Sequence, residues 1–541
     1  MSADNSFNEQ QKQHILDNFI AQAGLQSIAD ATKGHKTIAT RAFKRGDTIL
    51  SIHPLFSLPV RKNEDHDDDT SSDQQNKQQQ ETQPQDRCTH CFKTLPPKRR
   101  PRCSQCHTAL YCSTRCLTDH WNARHYFECD PKNAENEGAL EKAEAKIKPV
   151  YRPYLRMAAG VTQVLQNIKK QQQQQQVPEW LRVQALAWDR LISHRSEHPK
   201  YLLKQYAEIA NLVPQTPGSL VSLDPVDALC RFGCNNFAAF DDSGDQNLLQ
   251  STGHLCSPLV SLLLNHACLP NASFVYSAGG RQVVRALRDI AEGDEVTLAY
   301  IDGLKPRSER RKTLEAVYFF TCHCERCELC GSPRARMDAL MDRSPQSDSA
   351  AHAIPHNLPT DYAQPPCADL WVTEVTHALL TLLASRSRHT HEAKLETQMI
   401  DSVESLDQRD LSFAAYRHWL ECQDECLERI STGSADEDAH WHWSYVSALH
   451  VLAFYALVYP PFHPLVGRQC LLVAQLAWNS LQGSDSHKVN EKLGLSEGLV
   501  RNLAMAAQNV LEASGDLEEV MGGASATEKK IALLLSQIEY A

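Results

Sequence analysis

No run of about 20 apolar residues, the length that crosses a bilayer, occurs among the 541 residues. The longest apolar stretch, Ala448 to Val458, is interrupted by His450 and stopped by Pro460-Pro461. The start, Met1 to Gly24, is polar and helix-like and lacks the basic-then-apolar order of a secretion signal. Positive charge is also short. The 55 Lys and Arg stand against 66 Asp and Glu, a net charge of −11. That balance excludes coating nucleic acid through bulk charge and leaves only a local basic patch. A soluble protein of nucleus and cytoplasm, without membrane contact, is expected.

Cysteine is what the chain does have, 19 in all. An odd total without a secretion signal argues against a disulfide framework and for reduced thiolates holding metal. At roughly 150 residues per unit, the length allows three or four compact units. Residues 1–60 read as an N-terminal helix followed by short strands, with Thr37–Thr40 and Thr48–Ile52 as strand candidates. Residues 61–87 are acidic, Gln-rich and without aromatics, which predicts a disordered insert. The cysteine block spans 88–129, and 130–219 has a helical pattern broken by six glutamines at 171–176. From 220 to 305 the texture is β-rich, with Ser273–Tyr276, Gln282–Ala286 and Glu295–Tyr300 as strands. A second cysteine cluster closes 306–330, a polar linker covers 331–364, and 365–541 reads as all helical.

The block's spacing is Cys88-x2-Cys91, Cys103-x2-Cys106, Cys112-x3-Cys116 and His125-x3-Cys129. These eight ligands suffice for two tetrahedral zinc sites, and metal would supply most of the folding energy of so small a block. Inert buried thiols rarely occur in paired CxxC spacing, and a redox CxxC lacks its βαβ setting here. The string Tyr111 to Cys116, with Trp121, His125 and Cys129, resembles a MYND finger. The resemblance implies interleaved ligands: Cys88, Cys91, Cys112 and Cys116 on one zinc, and Cys103, Cys106, His125 and Cys129 on the other. His120 stays a rival to His125, because the step from Cys116 is one residue longer than usual. The resemblance also implies a proline-rich peptide as partner. The basic cluster Lys98, Arg99, Arg100 and Arg102 is either a solvated face or a weak nucleic-acid contact.

Further on come Asn265-His266-Ala267-Cys268, Gly293-Asp294-Glu295, Tyr300, Tyr318-Phe319-Phe320 and Cys322-x-Cys324-x2-Cys327. Together these resemble the SET and post-SET segments of protein lysine methyltransferases. The finger inserted after the first strands narrows the resemblance to the SET- and MYND-domain (SMYD) family. It implies an α+β fold: a SET-domain β-fold split by a zinc finger and helical insert, then a post-SET segment and an all-helical, TPR-like C-terminal domain. It implies methyl transfer from S-adenosylmethionine to a lysine of a histone or other protein. Tyr300 would be the catalytic tyrosine and Tyr318 would line the lysine channel. The cofactor would meet Asn235, Asn265, His266, Tyr300, Phe320 and the loop Lys33-Gly34-His35, where Lys36 replaces the family's second glycine. Cys268, Cys322, Cys324 and Cys327 would hold a third, structural zinc, with Cys330 as an alternative ligand. The C-terminal helices would lean over the SET core, although helix packing alone also explains their apolar residues. A scaffold that recruits partners without useful turnover is the competing class.

Overall fold

The chain was analysed as a computed structural model that describes residues 8–60, 87–95, 100–129, 139–172, 177–213, 224–240, 251–277, 279–328, 333–343, 370–384, 411–432, 437–483, 487–515 and 526–540. The acidic insert up to residue 86, Lys98, Arg99, four of the six glutamines, Cys330 and most of the span read as a linker lie outside the described residues.

Asn8 starts the first helix, Glu9–Gln22, by accepting from the Gln11 amide while Gln11 reaches back to the Asn8 amide. This reciprocal cap satisfies two otherwise orphaned donors. The helix buries Leu16 and Ile20 against a hairpin of β1 (Leu25–Asp30) and β2 (Gly34–Ala39). Asp30 closes that hairpin by accepting from Thr32 and Lys33, and these bonds hold its carboxyl far below the usual carboxylate range. Gly34 then takes φ +76°, a conformation only glycine adopts without strain.

Two three-stranded antiparallel sheets follow. The first orders β3 (Thr48–Ile52), β9 (Gln282–Ala286) and β8 (Ala272–Tyr276), and the second orders β4 (Phe56–Pro59), β6 (Ser251–Cys256) and β5 (Asn236–Phe240). Each joins strands from before and after the cysteine block, so the block is an insertion into one β-unit. β7 (Asn265–His266) pairs in parallel with β10 (Thr297–Leu298). The strand expected over Glu295–Tyr300 is therefore only two residues long, because β7 offers only two partners. Leu50, Ile52, Leu259, Leu263, Val284, Val296 and Leu298 share one core with the first helix.

The helical insert contains Arg152–Gln172, Glu179–Arg190 and Lys200–Ala210. The first crosses β4 at Gly160, where an added Cβ would lie 2.2 Å from the Phe56 ring. The cysteine block is seated on β8: Phe92 stacks on Tyr276 at 4.6 Å, Arg124 donates to the Tyr276 hydroxyl at 3.1 Å, and that hydroxyl donates to the His90 carbonyl at 3.0 Å. The C-terminal region is helical: Leu370–Ala384, Phe413–Ser431, Glu437–Val458, Pro464–Gln482, Glu497–Ser514 and Ala526–Tyr540 enclose a separate apolar core. Ser412 and Ser496 cap two of these helices by accepting from the Ala415 and Leu499 amides. A further helix, Pro333–Met341, lies within the span read as a linker, and its Met337 and Met341 enter the C-terminal core.

Candidate active site and metal centres

Helix Arg307–Tyr318 ends at Phe319, whose φ of +60° reverses the chain and returns Phe320 toward Tyr300. Tyr300, Tyr318, Phe320, Leu314 and the cysteines 268, 322, 324 and 327 consequently form one cluster. The Tyr300 and Tyr318 rings lie 5.1 Å apart, and Phe320 stands edge-on to Tyr300 at 6.4 Å. The Tyr300 hydroxyl donates to the Leu264 carbonyl at 2.6 Å, and the Tyr318 hydroxyl donates to the Tyr300 carbonyl at 3.1 Å. Burial pushes both phenols up, Tyr318 to about 12 and Tyr300 further. Both are therefore neutral near pH 7 and serve as hydrogen-bonding groups, not as bases.

His266 joins this cluster to the metal-type group. Its Nδ1 accepts from the Tyr300 amide at 3.0 Å, which leaves the ring proton on Nε2, 3.2 Å from the Cys268 sulfur. Burial keeps the imidazole neutral, with a pKa lowered to about 3.

The remaining predicted residues sit around the hairpin tip and the end of helix Pro225–Cys234. Asn265 donates through Nδ2 to the His35 carbonyl at 2.7 Å and to Glu295 at 3.1 Å. Glu295 also receives Lys33 at 2.6 Å, so one carboxylate links Asn265 to the loop. The His35 ring bonds the Leu262 carbonyl, and Lys36 faces Asp30 at 3.5 Å. A Cβ on Gly34 would meet nothing within 4 Å, so the hairpin tip borders open space. Asn235 caps its own helix, donating to the Arg231 carbonyl at 2.8 Å, whereas the Asn265 amide turns to His35 and Glu295.

Three groups of four ligands converge, each with all ligand atoms within 4.8 Å: Cys88, Cys91, Cys112, Cys116; Cys103, Cys106, His125, Cys129; and Cys268, Cys322, Cys324, Cys327. Zinc–sulfur bonds of about 2.3 Å in a tetrahedron set sulfurs about 3.8 Å apart. The sulfurs here lie 3.7 and 3.4 Å apart in the first group, 3.9 Å in the second, and 3.9 and 3.6 Å in the third. The donor sets therefore fit structural zinc. In the second group His125 turns Nε2 to Cys106 at 3.6 Å, with Nδ1 on the side of the Glu128 carboxylate at 3.6 Å. His120 instead bonds the Tyr111 hydroxyl at 3.1 Å and Glu128 at 3.0 Å.

Sequence reading missed three charged groups. Arg310, Arg326 and Asp338 are fully or almost fully buried beside the third cysteine group. They come from three chain segments, and no spacing rule links them.

Comparisons with known proteins give the chain's relatives. A family model for the SET domain matches residues 34–301, from the hairpin tip to just beyond Tyr300. Histone-lysine N-methyltransferase ASHR1 of Arabidopsis thaliana is 26% identical over 93% of this chain and 96% of its own length. Histone-lysine N-methyltransferase SMYD3 of Homo sapiens is 29% identical over 44% of this chain and 51% of its own length. N-lysine methyltransferase SMYD2 of Mus musculus is 26% identical over 61% of this chain and 66% of its own length. The chain spans about half of the first of these SMYD relatives and nearly all of ASHR1. With its split β-unit and its asparagine–histidine strand, the chain carries a SET domain over residues 34–301 and is similar to protein lysine methyltransferases of SMYD-like type.

Proposed function

We propose that the chain transfers a methyl group from S-adenosylmethionine to the side-chain nitrogen of a lysine in a histone or other protein. The observation that carries the reading is the joining of Tyr300 to its surroundings: hydroxyl to Leu264, amide to His266, carbonyl to Tyr318. S-adenosylmethionine would supply a methyl carbon activated by its sulfonium. Lys33, Gly34, His35, Asn235, Asn265 and His266 would hold it, with Phe320 on its adenine or thioether side. The open space at Gly34 and the cation of Lys33 beside it suit a carboxylate-bearing ligand.

The chain's own residues then have two tasks. The first is to accept a neutral amine. At pH 7, deprotonating a lysine of pKa about 10.4 costs about 4.6 kcal/mol. No phenolate is present to take the proton, so lowering of the amine's pKa falls to desolvation between Tyr300, Tyr318 and Phe320. The second is alignment, and the Tyr300 hydroxyl orients the amine toward the carbon it attacks. The three zincs have structural roles, since four protein ligands leave no open position. The cysteine block acts as a MYND-type module for a proline-rich peptide, with at most weak nucleic-acid contact. Nucleus and cytoplasm, whose thiols are reduced, are the compartments.

Calorimetric titration with S-adenosylmethionine, paired with mass spectrometry of proteins incubated with labelled donor, tests the reading. Binding heat and new methyl-lysine are expected. Folded, three-zinc protein that gives neither would be a recruiting scaffold.

A further inference from the structure

Three buried charges tie the third cysteine group to the C-terminal helices. Asp338, on helix Pro333–Met341, receives Arg310 through two bonds of 2.9 and 2.7 Å and Arg326 through two of 3.2 and 2.6 Å. Arg310 and Asp338 are 0% exposed and Arg326 is 3% exposed. Each arginine also reaches the cysteine group or the chain beside it. Arg310 Nε lies 3.3 Å from the Cys268 sulfur and its Nη2 3.9 Å from the Cys327 sulfur. Arg326 donates to the Gly303 carbonyl at 3.0 Å and to the Cys268 carbonyl at 3.4 Å. Flanking Asp338, Met337 and Met341 are packed in the C-terminal core with Leu304.

Four thiolates around one Zn²⁺ carry a net charge of −2, and two arginines offset it. Two adjacent guanidinium groups in a dry site repel one another unless a carboxylate lies between them, which is where Asp338 sits. Both arginines lie on the cysteine side of the contact and their shared anion on the helical side. We propose that Asp338 is a positioning residue that holds Arg310 and Arg326 against the Cys268 group, so that this zinc site is closed only while helix Pro333–Met341 is docked. Retention of one particular metal ion is thereby coupled to the seating of the C-terminal helices. The proposal rests on zinc at these four cysteines, which the metal content of the unvaried chain checks by itself: fewer than three zincs would remove that assignment.

The test is zinc release from the full chain to a chromogenic chelator. In Asp338→Asn, one of three zincs is expected to leave at least tenfold faster while the other two keep their rates. General loosening would quicken all three, and release of all three at unvaried rates, or acceleration shared by all, overturns the proposal. Should Asp338→Asn not fold, the unvaried chain answers through graded chelation with cysteine alkylation and deuterium uptake read on the same samples. Alkylation of Cys268, Cys322, Cys324 and Cys327 is expected to rise in step with deuterium uptake in 333–341. Full alkylation of these four with native protection of 333–341 overturns it.

Discussion

Tyr300 gives its hydroxyl hydrogen to a backbone carbonyl inside the cluster, and that one bond separates an orienting role from a basic one. In Tyr300→Phe the ring and its packing remain and the donor is lost. A single net hydrogen bond is worth about 1 kcal/mol to stability. Loss of a preorganised polar group, here the hydroxyl oxygen that the Leu264 bond holds in place, costs more at a reacting centre, roughly a hundredfold in rate. Tyr300→Phe is therefore expected to fold with a modestly lower midpoint and to lose roughly a hundredfold in methyl transfer, measured with labelled donor. The pH dependence adds a second reading. Because both phenols are held protonated, the rate between pH 7 and 9 follows the substrate amine, rising with pH in parallel for both proteins. A flattened profile in the variant would instead give Tyr300 the role of base. Tyr318 follows the same logic in stability: its protonated form is favoured by burial, so its contribution is intact below about 10 and is lost as pH climbs through about 12. That these tyrosines meet the cysteines in one cluster was legible only through the family resemblance, since a tyrosine alone is more often a packed core residue. Glu295, which joins Asn265 to Lys33, stood in the same motif with no role, since nothing local distinguishes a linking carboxylate from a turn residue.

At the scale of elements, Gly160 sets two effects against each other. It lies inside helix Arg152–Gln172, where alanine would gain about 1 kcal/mol of helix propensity. The added methyl would lie 2.2 Å from Phe56, a ring held in β4 and in the core beneath it. Overpacking of this kind costs about 1–3 kcal/mol. Gly160→Ala should accordingly lower the urea midpoint despite its better helix former, and a raised midpoint would show that Phe56 swings aside freely. The cysteine block poses a different question, because its buried cluster is mostly cysteine, with Leu95, Ala109 and Tyr111. So small an apolar set cannot hold the block without metal. Chelation is expected to raise deuterium uptake across 100–129 while β3, β8 and β9 keep their protection. Uptake unchanged in the block after measured loss of zinc would make it a thiol core rather than a metal-folded one. Strands such as Thr48–Ile52 and Gln282–Ala286 were readable from their β-branched runs, and the helical character of the C-terminal region from its apolar pattern. Helix Pro333–Met341 was not. Its Asp338 reads as solvated polarity until two arginines from elsewhere in the chain are seen to surround it.

In the whole molecule, the residues just after Tyr300 lie between two units. Leu304 belongs to the C-terminal core, and a Cβ on Gly303 would be 3.3 Å from Tyr459 and 3.6 Å from Val458. The Tyr459 hydroxyl donates to Asp302 at 2.6 Å, and the same carboxylate oxygen accepts the Leu304 amide at 2.9 Å. Beyond this loop, Arg45 lies over the Phe462 ring at 3.7 Å, a second contact between the β-unit and the helices. Sequence could mark the region as all helical but not its seat, because docking depends on single residues such as Asp302 and Tyr459, far apart in the chain and unremarkable in their own surroundings. If the seat fixes the loop, it fixes Tyr300, one residue before the loop begins. Tyr459→Phe removes one hydrogen bond and keeps the ring and its stack on His463. Asp302 is exposed and keeps the Leu304 amide, so the loss in stability should be only about 1 kcal/mol. The same free energy, taken from alignment in the transition state, is about fivefold in rate. The expected outcome is a kcat lowered about fivefold with the KM for peptide little changed, the pattern of an effect on alignment and not on ground-state binding. A variant with reduced stability but an unaltered kcat would show that the helices merely rest on the loop, and that Tyr300 is placed wholly by Leu264, His266 and Tyr318.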